Sequence, residues 1–463
     1  MNSEPRWQVK PFVASLTGKR IGGQPVPDRE KFVARVDPGE GVSSTAATFS
    51  RERFALLFAV MMVAAAGNTA MQSLMPSIGR ELGIPDLWMA CAFSLSAVAW
   101  VLSAPYWAKL ADNRGRRALM RRGLYGFIIS NLICGAVLAA GLSGQLEPLI
   151  VFIAFTIGRA VYGIWGSASP PAVQAYVAAR TEGEQRTNKL AAIASSFALG
   201  TIVGPALAPL LIFRPLGLSG PLIVFALVGV VVLIALILRL PDDTPNSEAQ
   251  GPIVAYPSLA GAQEPAGRRD GSLRWTDRRV SGWLWIGAVG GHGQAAALGV
   301  IGFLIIDRLN LPLDHAQESI AIVLMVGAIA SLLSQWWLIP ALKLSPAELV
   351  VWGSILSAAG LGVTGLATDL YGITLGFALA SLGFGLFRPG FTSGASLAVS
   401  QPEQNQVAGM VTSVNGVAYI LAPALGVALY GLALPLPFLL TGALMAGLAL
   451  WVSLNRRLSD PAA

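Results

Sequence analysis

The sequence predicts an all-α polytopic membrane protein, with twelve transmembrane helices in two pseudo-symmetric bundles of six. Three observations lead there. The 463 residues are 54% hydrophobic and only 12% charged, about half the charged share of ordinary soluble chains. Apolar runs recur that can cross a bilayer, which takes about 20 residues because each rises about 1.5 Å through a core about 30 Å thick. The Lys and Arg residues segregate to one side of those runs. Such segments must be helical, because lipid offers the backbone no hydrogen-bond partner.

Residues 1–50 are polar, with scattered Pro and Gly, and nine basic residues occur up to Arg53. No apolar core of signal-peptide type appears there. The stretch reads as a disordered cytoplasmic tail, with an amphipathic membrane-surface segment as the alternative. An N-terminal bundle follows over 51–240, with spans expected at 54–78, 87–107, 123–143, 148–178, 189–213 and 218–240. Residues 241–280 are rich in Pro, Gly, Ser and charge and read as a flexible cytoplasmic linker. The second bundle, 281–457, carries spans at 281–306, 317–340, 346–367, 370–398, 405–430 and 434–454, and residues 458–463 form a short tail.

Orientation follows from charge. Between spans 2 and 3, the stretch from Ala108 to Met120 packs an acid, a glycine and four Lys/Arg residues between uncharged runs. Of the 32 Lys and Arg, 27 fall on its side, three on the other (Arg80, Arg214 and Arg308) and two inside spans (Arg159 and Arg388). The positive-inside rule then puts both termini and the linker in the cytoplasm, and the protein in the inner (plasma) membrane. The net charge of +7 has the same origin, so nucleic acid is not an expected partner. Cys91 and Cys134 both lie in spans and read as small buried hydrophobes rather than a disulfide or metal pair. No Ser/His/Asp, paired-carboxylate or metal-spaced cluster and no Gly-x-x-x-x-Gly-Lys-Ser/Thr loop occurs. The expected protein is therefore not an enzyme, holds no cofactor or metal, and works as a monomer whose partners are the bilayer and a small molecule.

The halves repeat weakly. Ser169-Pro170-Pro171, Glu184-Gln185 and Gly204-Pro205 recur as Arg388-Pro389, Glu403-Gln404 and Ala422-Pro423 at offsets of 218 to 219 residues. Paired six-helix halves are a transporter architecture with the substrate site between them. With the charged turn after span 2, this resembles the major facilitator superfamily. That family's loop signature, G-x-L-a-D-r-x-G-r-r, is matched by Leu110, Asp112, Gly115, Arg116 and Arg117, while Ala108 and Asn113 depart from it. Arg159 and Gly163 match a second motif in span 4, where Tyr162 and Trp165 depart from the usual Gln and Gly. Gly200, Gly204 and Pro205 match a third, in span 5, with Ala208-Pro209 where two glycines are usual. That last motif implies the exporting, drug:proton antiporter branch, and with it a proton gradient as the driving force.

Each candidate has a physical role. Gly115 allows a turn with positive φ. Asp112, at a helix C-terminus, opposes that helix's dipole and needs a cation, which Arg116 or Arg117 can bring. In the family this cluster latches the halves in the outward-facing state; the alternative is that these charges only set topology. Arg159 and Arg388 are charges inside spans, each costing roughly 2.5–3.5 kcal/mol on insertion scales, and so are coupling or cavity candidates: Arg159 is functional or a structural Arg bonded to carbonyls within its half, and Arg388 is a substrate-anion contact or a structural tether. Gly200, Gly204 and Pro205 give span 5 a flat, kinked face. No acid falls at the centre of a span, which leaves His292 as the titratable group near the midplane, either a proton carrier or a neutral hydrogen-bonding partner. A substrate cavity is sketched by Asn68, Gln72, Tyr162, Trp165, Gln294, Phe387 and Asn415, each of which could equally face a neighbouring helix or lipid. The function expected is export of a hydrophobic or amphipathic molecule in exchange for protons. Facilitated transport or symport of a metabolite, lipid translocation, and a non-transporting receptor are the alternatives.

Overall fold

The computed structural model describes residues 50–178, 180, 181, 183–241, 273–400 and 403–455. The expected N-terminal tail, most of the linker and the C-terminal tail lie outside the described residues. Helices α1 (Arg51–Glu81), α2 (Asp86–Arg114), α3 (Arg116–Leu142) and α4 (Pro148–Val161) follow in order, and a π turn at Tyr162–Gly166 joins α4 to α5 (Ser169–Ala178) as the fourth span. Helices α6 (Gly183–Leu207) and α7 (Gly220–Arg239) complete the first bundle. The second opens with α8 (Ser281–Leu309) and α9 (Leu313–Leu333), and a second π turn at Ser334–Leu338 joins α9 to α10 (Ile339–Leu342). It closes with α11 (Pro346–Leu366), α12 (Leu370–Leu397), α13 (Gln404–Leu432) and α14 (Leu436–Leu454).

Among the described residues, 11 stretches are long and apolar enough to cross a membrane. The fifth expected span is α6, whose apolar part is the shorter Ser195–Leu207. Local chemistry sets the helix ends. Ser50 accepts from the Arg53 N–H at 3.3 Å and Asp369 from Gly372 at 2.9 Å, relieving donors that the first turn leaves unpaired. Ser345 and Glu348 form a reciprocal capping box at α11, which starts with Pro346.

The turn between spans 2 and 3 is shorter than expected. Helix α2 runs on to Arg114 and α3 resumes at Arg116, so the whole connection is Gly115, with φ 77° and ψ 152°. Ala, Lys and Leu in 108–114 are good helix formers and carry α2 past its apolar run. The side chains of Ala108, Lys109, Ala111, Asp112, Asn113 and Arg114 lie outside the described residues.

Two apolar cores result. One draws on residues 56–240 and the other on 280–452, joined from the first half by Ala90 of α2. Lipid is as apolar as these side chains, so packing rather than the hydrophobic effect must hold the helices together. Helices α11 and α12 illustrate it: Gly353 and Gly360 face the backbone of α12, and Gly376 and Gly383 face that of α11. A methyl group added at any of the four would come within 2.6 Å of an atom of the opposing helix.

Candidate functional site

Arg159, in the last turn of α4, is 4% exposed. Its Nη2 donates to Asn68 Oδ1 at 3.1 Å, and its Nη1 lies 3.6 Å from Met71 Sδ. The guanidinium sits 4.5 Å from the Phe93 ring centroid and 5.3 Å from that of Tyr162. Ring faces attract a cation by about 0.5–2 kcal/mol each when desolvated, which offsets part of the cost of burying one. Among the described residues no carboxylate pairs with it, and its Nε has no partner. The structure thus brings Arg159, Asn68 and Tyr162 together, with Asn68 half-buried and Gln72 exposed one turn farther along α1.

The π turn following Arg159 frees carbonyl groups, and α2 supplies their donors. Ser96 donates to Arg159 O at 2.8 Å, Ser103 to Gly163 O at 3.3 Å, and Trp107 Nε1 to Ile164 O at 2.5 Å. A Cβ on Gly163 would lie 2.3 Å from Ser96 O, so only glycine lets the helices meet here. The Arg159–Gly163 spacing is therefore a cation on one turn and a point of closest approach on the next. Sequence reading missed the three donors. Their offsets of seven and four residues, which put 96, 103 and 107 on one helical face, were the available signal.

Gly200 and Gly204 let α6 lie against α1. A methyl at Gly200 would stand 2.4 Å from Met62 O, and one at Gly204 would stand 2.2 Å from Ala66 O. Pro205 is buried within α6. In the second half, His292 Nδ1 lies 2.7 Å from Ala288 O on its own helix. A carbonyl can only accept, so Nδ1 carries a hydrogen and Nε2 remains for other partners. Phe387, 2% exposed, is seated against Gly290 in the core between α12 and α8. Asn415 is buried, Gln294 and Arg388 are half-buried, and Trp165 is exposed. Arg388 Nη2 is shielded from solvent without a partner.

Another missed feature lies at the membrane side away from the α1 N-terminus. Arg80, near the end of α1, bridges the halves. It pairs with Asp307 of α8, Nη2 to Oδ2 at 2.8 Å, and with Asp86 of α2 at 2.9 Å. The Tyr430 hydroxyl of α13 donates to Asp307 at 2.5 Å. Gln317 of α9 reaches Ser73 of α1 at 3.3 Å, and Gly302 of α8 faces the Pro76 ring. Arg80 and Asp307 are 227 residues apart, a pairing that no local pattern announces. On the other side, the contacts described stay within a half. Arg117 donates to Ile237 O at 2.5 Å, and Arg279 holds both Asp277 and Glu403. Hydrogen bonds from Arg279 and Ser400 hold the Glu403 carboxyl down to about 2.

Comparison with known proteins places this arrangement. The family model described as Major Facilitator Superfamily matches residues 57–346. "Multidrug resistance protein MdtG" of Proteus mirabilis (strain HI4320) is 26% identical over 145 residues, 30% of this chain and 33% of that protein. "Multidrug resistance protein 2" of Bacillus subtilis (strain 168) is 22% identical over 417 residues, 89% of this chain and 97% of that one. The chain spans only about a third to a half of the length of the first relatives it matches. The solved structure of "a bacterial homologue of iron transporter ferroportin in inward-facing state" shares the fold with a TM-score of 0.65 at 15% identity, covering 88% of this chain and 100% of that one.

Proposed function

The chain belongs to the Major Facilitator Superfamily, and from that premise we propose that it exports a hydrophobic or amphipathic small molecule by alternating access, in exchange for protons. The observation that carries this reading is the Arg80–Asp307 pair, which ties the two halves at one membrane side. The 27 Lys and Arg of the opposite side, which includes both termini, assign that side to the cytoplasm. The tied side is then external and the conformation faces inward, ready to load solute from the cell. The bacterial plasma membrane is the natural site, given the names of the relatives.

The cycle follows from the two ends. Parting Arg80 from Asp307 opens the external side. The turn at Gly115, with Asp112, Arg116 and Arg117, is the corresponding cytoplasmic latch of the outward state. The Arg159–Asn68 contact stiffens α1 against α4 beside the pathway. His292, with Nδ1 spent on its own helix, offers Nε2 as the proton-exchanging atom. Inverted vesicles energised by respiration test this. They accumulate substrate, and Asp112→Asn or Arg159→Ala abolishes accumulation; normal accumulation in both variants removes the assigned roles.

The shortage of mid-span acids favours a second reading, a facilitator of a metabolite or lipid. In proteoliposomes an exchanger moves an internal pH dye when substrate is added, and a facilitator leaves the dye silent.

A further inference from the structure

The distribution of charge along the helices says something about the solute. Every acid in a described helix lies within its first six or last three residues, as with Asp86 and Glu318 or Glu81 and Asp307. Two cations stand near the midpoints of their spans. Arg159 is twelfth in the span Pro148–Val177, and Arg388 is nineteenth in Leu370–Leu397. At 1.5 Å per residue each lies within about 7 Å of its helix midpoint. Neither has a carboxylate partner among the described residues, and each keeps a shielded nitrogen without one.

Both arginines occupy corresponding arcs of their bundles. Arg159 lies between α1 (Asn68) and α2 (Phe93). On α12, Phe387 and Phe391 pack on Gly290 and Gly287 of α8, while Gly385 packs on Ser331 and Ser334 at the α9 end. Arg388, about 100° on from Phe387, falls on the arc between those faces. Helices α8 and α9 both touch α1 across the halves, through Gly302 on Pro76 and Gln317 on Ser73. The arc that holds Arg388 thus lies between the two helices of the second half that reach α1 at their far ends. Unlike Arg159, Arg388 is only half-buried and lies nearer the cytoplasmic end, where solute enters an inward-facing protein.

Two cations near the helix midpoints, with no carboxylate partner among the described residues, disfavour organic cations and lower the energy of an anion that reaches Arg388. We infer that the transported molecule is an amphipathic organic anion, a carboxylate or sulfonate on an apolar body, and that Arg388 is its charged contact. This rests on the transporter reading and narrows its solute. The guanidinium fits a planar carboxylate through paired N–H donors, and the neighbouring apolar and aromatic residues take the body.

Equilibrium binding tests the inference separately from transport. Purified protein in detergent is titrated with an alkylated fluorescein, which is anionic, and with an alkylated rhodamine ester of equal chain length, which is cationic. Fluorescence anisotropy reports both. The anionic probe binds at least tenfold more tightly; Arg388→Gln raises its Kd at least tenfold, and Arg388→Lys recovers much of the loss. A Glu147→Gln control at the external end leaves both affinities unchanged. Equal or tighter binding of the cationic probe, or an unchanged Kd in an Arg388→Gln protein that melts like the parent, overturns the inference. If the anionic probe binds as described but is not carried into inverted vesicles, the export reading fails and the anion site stands.

Discussion

Asp307→Asn offers the sharpest perturbation of the cycle. It removes the charge that faces Arg80 but keeps the side chain's size. Fully exposed pairs contribute about 0–1 kcal/mol, and losing one partner of a buried pair costs about 3–5 kcal/mol. The Arg80 and Asp307 side chains are 22% and 29% exposed, which places the pair between those limits. Arg80 also keeps Asp86 at 2.9 Å and is not left orphaned, so a loss of about 1.5–2 kcal/mol from the closed external side is reasonable. At about 1.4 kcal/mol per tenfold, the externally open population rises about 10- to 30-fold. The reporter is Ser73→Cys, at the seam contact with Gln317, with Cys91, which is exposed where the sequence predicts a buried residue, replaced by Ser. A membrane-impermeant maleimide added from outside labels position 73 about 10- to 30-fold faster in the Asp307→Asn protein. An unchanged rate, with both proteins melting alike, would refute the assignment of this pair as the external closure.

Other outcomes follow from the same geometry. Gly163→Val drives a side chain into Ser96 O, 2.3 Å from the added Cβ, and destabilises the α2–α4 contact by about 2–3 kcal/mol, read as a lower Tm in detergent. Trp107→Phe removes one of two donors to Ile164 O, Ser167 Oγ at 2.8 Å being the other, and costs about 0.5–1.5 kcal/mol in the same melt. Asn68→Leu removes the oxygen that faces Arg159 and costs about 2 kcal/mol, whereas Asn68→Asp supplies a carboxylate and raises Tm. The Arg279–Glu403 tether depends on pH. Glu403 titrates near 2 in the folded protein against an ordinary 4.5, so its contribution is complete above about pH 4.5 and is lost as pH falls through 2. Hydrogen exchange of residues 273–281 therefore stays slow at pH 5, and Arg279→Gln speeds it there.

What the sequence disclosed was what periodicity and charge encode. Apolar runs and the one-sided Lys and Arg gave the bundles their spans, and the spacing around Gly115 gave the turn, although helix propensity narrowed it to one residue. Asn68, Tyr162 and Arg159 were each singled out, and the structure brings them together. Phe387 was read as a cavity residue because an aromatic near a span centre looks the same facing a cavity or a core; Gly290, 97 positions away, is what seats it in the core. The Ser96–Ser103–Trp107 ladder answers carbonyls exposed by a π turn, and no residue pattern marks that turn in advance. The Arg80–Asp307 pair joins residues whose meeting depends on the tertiary fold.

In that closure one guanidinium serves two carboxylates. When the halves part, Arg80 travels with α1 and keeps Asp86. Asp307 travels with α8 and, among the described residues, keeps the Tyr430 hydroxyl. The opened second half therefore turns toward the surrounding medium an anion that the closed protein pairs with Arg80. Any cation dissolved there, a hydronium or a metal ion, competes with Arg80 for the vacated oxygens. If the tied side is external, as proposed, the work of shutting the protein is set partly by the salt and acidity of the world outside the cell.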